Sequence, residues 1–137
     1  MELTQNFFKK VIILTFLCNI FYGIFESLPF FSNYQSLEDQ LHQGYFSKFI
    51  SFELSFIILV FLLIINLIGL FLLYRFNKLG RPVYSLSYIL ILLFIMFDGD
   101  WIQYGFSYPF DIISSFLEVF ILYLIYLTPL KNEFENN

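Results

Sequence analysis

Alanine occurs nowhere in this chain of 137 residues, which has one cysteine, one histidine and little charge, its seven Lys and Arg and eleven Asp and Glu making 13% of the total. Each shortage excludes a class of protein. A single thiol, Cys18, permits neither a disulfide framework nor a thiol pair for redox exchange, and its place in an apolar run marks it as a small packed hydrophobe. His42 stands alone in a polar stretch and reads as a solvated side chain rather than a metal ligand. Scattered bases and a formal net charge of -4 leave no phosphate-binding stripe, so no DNA or RNA partner is expected. The chain has no nucleophile elbow, no phosphate-binding loop and no His-rich cluster, so no enzymatic activity, cofactor or metal is expected either.

What fills the chain instead is apolar: 59% hydrophobic and 23% aromatic residues, with a mean hydropathy of +0.76. A soluble domain carries about 25% charge, roughly twice the share here. Abundant Phe, Ile, Leu and Asn with no alanine is the bias of an AT-rich genome and points to a bacterium. Leu54 to Tyr74 has no charged residue, and at about 1.5 Å of rise per residue it makes a helix of about 31 Å, the thickness of a bilayer's hydrocarbon. Ser55, Asn66 and Gly69 interrupt it too sparsely to mark a water-facing side.

Three further spans are expected. Lys9 and Lys10 precede an apolar run that imitates a signal peptide, but no Ala-x-Ala-type site follows it, so it is retained as a helix over about 8–29. The central helix covers about 50–74. Arg75 to Pro82 reads as a tight basic hairpin with Gly80 as its turn residue and leads into a third helix over about 82–97, at about 24 Å short for a span. A fourth helix covers about 110–130, followed by a short polar tail. Ser36-Leu37-Glu38-Asp39 is a capping box, predicting a surface helix over about 37–43. Trp101, Tyr104 and Tyr108 read as an aromatic belt at headgroup level. With no alanine and no Gly-x-x-x-Gly pair, the helices are expected to stand apart, with Phe and Leu filling the gaps.

Gly80-Arg81-Pro82-Val83-Tyr84 entering the third helix and Leu124-Ile125-Tyr126-Leu127-Thr128-Pro129-Leu130-Lys131 leaving the fourth resemble a pattern of small bacterial four-helix membrane proteins whose activity is uncharacterised. The resemblance implies an architecture and transfers no functional residue.

The expected fold is therefore all-α: an integral membrane four-helix bundle, up-down-up-down, in one domain. Six of the seven bases, all but Lys48, lie before the first span, between the second and third, or after the fourth. By the positive-inside rule both termini are cytoplasmic and the membrane is the bacterial inner membrane.

That orientation gathers the acids. Glu26, Glu53, Asp98, Asp100, Asp111 and Glu118 all fall in the outer half, with Lys48 the sole base there. Thr15, Asn19, Tyr22 and Glu26 share one face of the first helix, and Asp111, Ser114, Ser115 and Glu118 share one face of the fourth. In hydrocarbon such stripes turn toward each other. Asp98-Gly99-Asp100 resembles part of a calcium loop but lacks the remaining ligand positions. Glu118 is the deepest acid, about 10 Å below the outer boundary. An ionised carboxylate there is costly without a partner, so it is either protonated, holding a cation, or in a water-filled pocket. The alternative is structural: a neutral Glu118 hydrogen-bonded to Asn19, Tyr22 or a serine.

Two functions follow as expectations. The first is a structural or interaction subunit, or an immunity-type partner, of another membrane protein. The second is a proton- or cation-binding coupling protein that uses the outer carboxylates and, having four helices and no internal repeat, works as a homo-oligomer.

Overall fold

A computed structural model of the chain describes residues 5–26, 52–98 and 108–135, all helix apart from two short turns. In chain order the elements are α1 (Gln5–Glu26), α2 (Phe52–Tyr74), α3 (Gly80–Asp98), α4 (Tyr108–Leu127) and α5 (Lys131–Glu135). The first four are long and apolar enough to cross a membrane. Their outward faces carry large apolar side chains, with Phe61 and Phe71 62% exposed and Phe116 74%. A soluble protein rarely leaves so much contiguous apolar surface to water, whereas lipid covers it without penalty. The expected surface helix over 37–43, His42, Asp100 and the belt residues Trp101 and Tyr104 lie outside the described residues.

Boundaries shift in physically simple ways. α3 begins at Gly80 rather than Pro82 and ends at Asp98, so its 19 residues reach about 28 Å and the expected shortfall against the bilayer disappears. α4 starts at Tyr108, with Pro109 in its first turn, where the missing N–H is not needed.

The turn between α2 and α3 is held by its own backbone. Phe76 N–H donates to Leu73 C=O and Asn77 N–H to Leu72 C=O, the paired bonds that close a helix with one left-handed residue. That residue is Phe76, with φ of 53°, where glycine is the usual occupant. The Asn77 side chain then accepts from Leu79 N–H at 2.9 Å and starts the next helix. At Gly80 a Cβ would lie 2.7 Å from Leu73 N, so the turn closes this tightly only around a glycine.

Phe76 occupies its strained position because its ring completes a cluster. Its centroid lies 5.7 Å from Phe8 of α1 and 5.2 Å from Phe134 of α5, and Phe8 and Phe134 meet edge to face at 5.9 Å. All three rings are buried. Lys9 lies over the rings of Tyr74 and Phe76, and Gln5 donates to Glu133 at 2.8 Å. The polar tail expected after the fourth span is thus in part a docked helix: α5 folds back so that Phe134 closes the bundle's end.

Packing falls into two strong pairs, α2 with α3 and α1 with α4, joined by lighter contact between α1 and α2. Partners on α1 and α4 run in opposite order along the two helices: Phe7 meets Phe120, Asn19 meets Glu118, and Phe21 meets Phe110. The expectation that the helices stand apart fails at one place. A Cβ on Gly69 would lie 2.8 Å from the Tyr84 Cα and 2.9 Å from its N, so α2 and α3 meet backbone to backbone. One glycine suffices because the facing Tyr84 directs its own bulk elsewhere, and no second small residue is needed.

The apolar core is lopsided. Its buried members lie at residues 8–12, 70–84 and 121–134, all in the half nearest the α2–α3 turn. Toward the other half the interior changes character.

Candidate functional site

Just beyond the core, each spanning helix contributes a polar side chain to a single cavity of about 380 Å³: Asn19 from α1, Asn66 from α2, Tyr88 from α3 and Glu118 from α4. Glu118 lies ten positions into the 20 residues of α4, about 15 Å along a helix of about 30 Å. The carboxyl group is therefore near mid-span, deeper than the sequence implied, because α4 starts earlier.

One part of the site joins α1 to α4. Asn19 donates from Nδ2 to Glu118 Oε1 at 3.1 Å, and its Oδ1 accepts from the Ser114 hydroxyl. One amide thus uses both of its ends on the same neighbouring helix, an arrangement that fixes register as well as contact. Ser114 is buried, four residues before Glu118, so both face α1 from one stripe. Thr15, one turn below Asn19, is also buried but donates back to Val11 C=O at 2.9 Å and takes no part.

The opposite wall comes from α2 and α3. Asn66, buried within the charge-free span, donates to Ser87 Oγ at 3.3 Å, and Ser87 donates to Tyr84 C=O at 2.9 Å. Tyr84 and Tyr88 stack with centroids 6.3 Å apart, and both lie within electrostatic range of Glu118. The Tyr84 hydroxyl is buried and makes no hydrogen bond among the described residues. Phe16, Ile20, Leu63, Leu67 and Ile91 supply the apolar remainder of the cavity wall.

Six of the ten residues singled out in the sequence come together here: Asn19, Tyr22, Asp111, Ser114, Ser115 and Glu118 all line the cavity. Glu26 closes α1, Glu53 stands in the first turn of α2 and Asp98 closes α3, but these side chains, and Asp100 as a whole, lie outside the described part of the structure. No Lys or Arg among the described residues lines the cavity. Among the described residues no group of three His, Cys, Asp or Glu is placed to hold a metal ion.

Sequence reasoning missed Asn66, Ser87 and Tyr88. Asn66 did leave a signal, since an amide alone in a run of Leu and Ile must find a partner inside the bundle. A second, smaller cavity of about 200 Å³ between α1 and α2 is walled almost wholly by apolar side chains such as Ile12, Phe16 and Leu67. Such a wall offers almost only apolar contact. Comparison with family models, with curated proteins and with solved structures found no match to this chain.

Proposed function

We propose that the protein is a four-span protein of the bacterial inner membrane that binds a proton or a cation at the mid-membrane carboxyl of Glu118, without covalent chemistry of its own. The observation that carries this reading is a carboxyl group near the middle of a span, in a cavity of about 380 Å³ whose described lining has no basic residue. Interhelical glue alone would not need that much space beside it, because buried polar contacts in a bundle are normally closed over by packing. Intramembrane acids that face the bundle interior mark ion and proton pathways more often than not.

The topology proposed with it is up-down-up-down with both termini cytoplasmic. Opposed contacts along α1 and α4 and the short turn between α2 and α3 support the alternation. Lys9, Lys10, Arg75, Lys78, Arg81 and Lys131, all at the turn end of the bundle, support the orientation. Glu118 then communicates with the outer side.

The test is exchange in proteoliposomes with an entrapped pH-sensitive dye under an imposed proton or sodium gradient. Wild type should dissipate the gradient faster than Glu118→Gln, whose amide keeps the shape but cannot be charged. Equal rates, together with no Glu118-dependent cation binding, would overturn the reading. A second reading, a structural or immunity-type subunit of another membrane protein, draws on the apolar outward faces. It predicts a stoichiometric partner on co-purification in mild detergent, whereas the coupling reading predicts the chain alone or as a homo-oligomer.

A further inference from the structure

We propose that the occupant of the Glu118 cavity is an organic monocation with an apolar body, an aryl- or alkylammonium, seated with its charge at the carboxylate. This deepens the cation-binding reading of Glu118 and rests on it. Three observations select this class over a bare ion. The first is coordination. A small inorganic cation wants about six oxygen ligands, whereas here Asn19 Oδ1 already accepts from Ser114 and Ser87 Oγ already bonds to Asn66 and to the α3 backbone. The lining carries two carboxylates, Glu118 and Asp111, with the hydroxyls of Tyr22, Ser115 and Tyr88. Among the described residues no third carboxylate, His or Cys joins them to complete a shell for a dehydrated metal, whereas one carboxylate suffices for an ammonium.

The second observation is size and wall chemistry. At about 30 Å³ per water, 380 Å³ corresponds to about a dozen waters, and a wall that includes Phe16, Ile20, Leu63, Leu67 and Ile91 offers them few partners. An apolar body fills that volume at no such penalty, and pockets for small organic molecules begin at about this size. Aromatic faces suit the charged end as well, because Tyr88 and Phe16 line the same space and cations are attracted to such rings.

The third is Gly23. It lines the cavity, and a Cβ built on it would meet nothing within 4 Å. Gly23 is exposed and stands one turn from Asn19, so its missing side chain leaves the edge of the cavity open. Gly23 thus adds volume to the cavity where a larger side chain would have fitted, unlike Gly69 and Gly80, whose missing Cβ is demanded by a close approach.

The experiment is equilibrium binding of radiolabelled benzyltrimethylammonium to the full chain in nanodiscs, with protein-free nanodiscs subtracted. Neopentylbenzene, its uncharged isostere, and sodium ion serve as competitors. The expected result is saturable binding that neither competitor displaces, weakened about tenfold or more in Glu118→Gln, the loss that one charge-assisted contact carries. Gly23→Leu, which removes volume while leaving the carboxylate and its partners in place, should weaken it comparably, and Glu118→Asp should retain most of it. Size-exclusion profiles and helical circular dichroism identify any variant that has lost its fold. Binding that is equal in wild type and Glu118→Gln, or displaced by neopentylbenzene, would overturn the inference in favour of partition into the apolar groove or the lipid. No saturable binding, together with gradient dissipation that still depends on Glu118, would overturn the organic-cation assignment alone. If binding and dissipation are both absent, the underlying coupling reading falls with it.

Discussion

Gly69 of α2 and Tyr84 of α3 touch through their backbones: a Cβ at residue 69 would stand 2.8 Å from the Tyr84 Cα. The contact sits between the apolar core and the polar cavity, three residues from Asn66 and four from Tyr88, so it sets how the two walls of the cavity face each other. Because the obstacle is backbone, no rotamer change relieves it. Gly69→Ala should therefore destabilise the protein by about 1–3 kcal/mol despite alanine's better helix propensity. Gly23→Ala, with open space around its Cβ, should be neutral or stabilising by up to about 1 kcal/mol. Unfolding in mixed detergent, followed by circular dichroism, separates the two; a Gly69→Ala variant as stable as wild type would show that the helices can part there freely.

At the other end, Phe76 combines backbone strain with ring packing. A left-handed non-glycine residue costs about 1–3 kcal/mol, and loss of a buried phenylalanine ring costs about 3–5 kcal/mol. Both Phe76→Ala and Phe76→Gly lose the ring, but glycine also releases the strain at φ of 53°. Phe76→Gly should therefore be less destabilising than Phe76→Ala by about 1 kcal/mol, and this order is read from the two melting midpoints.

The cluster of Phe8, Phe76 and Phe134 also predicts that α5 matters to a bundle it does not span. Phe134→Ala should destabilise by about 3–5 kcal/mol, whereas Glu133→Ala, which removes a solvent-side hydrogen bond with Gln5, should change stability by less than about 1 kcal/mol. Limited proteolysis gives a second readout, because undocking α5 should expose the chain after Thr128 to cleavage in the Phe134→Ala variant first.

How much of this was legible in the sequence depends on period and length. The span at Leu54 to Tyr74 could be read at once because no charge interrupts it. Asn19 with Tyr22, and Ser114 with Glu118, could be read because two or more polar groups repeat at helical spacing within an apolar run, which fixes a face. Asn66 and Tyr88 carry no such repeat: a single amide marks no stripe, and a tyrosine is as much at home in the headgroup belt as in the interior. Phe134 was hidden by its neighbours, since one ring among Lys131, Asn132, Glu133 and Glu135 has the composition of a tail. Gly69 was misjudged for a different reason. Close helix approach was sought as a pair of small residues, whereas here the second partner is the backbone of a tyrosine.

Orientation gives a prediction independent of packing. A reporter active only outside the cytoplasm should be silent when fused after Asn137 and active when inserted near Gln43. An active fusion at Asn137 would place Glu118 nearer the cytoplasmic side and remove the outer access proposed for its cavity.

The last prediction concerns the hydrogen bond between Asn19 and Glu118, which both readings of function need but value differently. Measured interhelical hydrogen bonds in membranes average about 0.6 kcal/mol and reach about 1.7 kcal/mol, because side chains in the unfolded, still inserted state also find partners. A double-mutant cycle with Asn19→Ala and Glu118→Ala should give a coupling energy in that range if Glu118 is chiefly a clamp between α1 and α4. A group kept for binding gives a different pattern. Removing Glu118 then also relieves the burial of a carboxyl group beside Asp111, within whose electrostatic range it lies, so Glu118→Gln should leave stability unchanged or raise it while weakening cation binding about tenfold or more. The two measurements together decide the matter: stability lost with binding intact assigns Glu118 to architecture, and binding lost with stability kept assigns it to function.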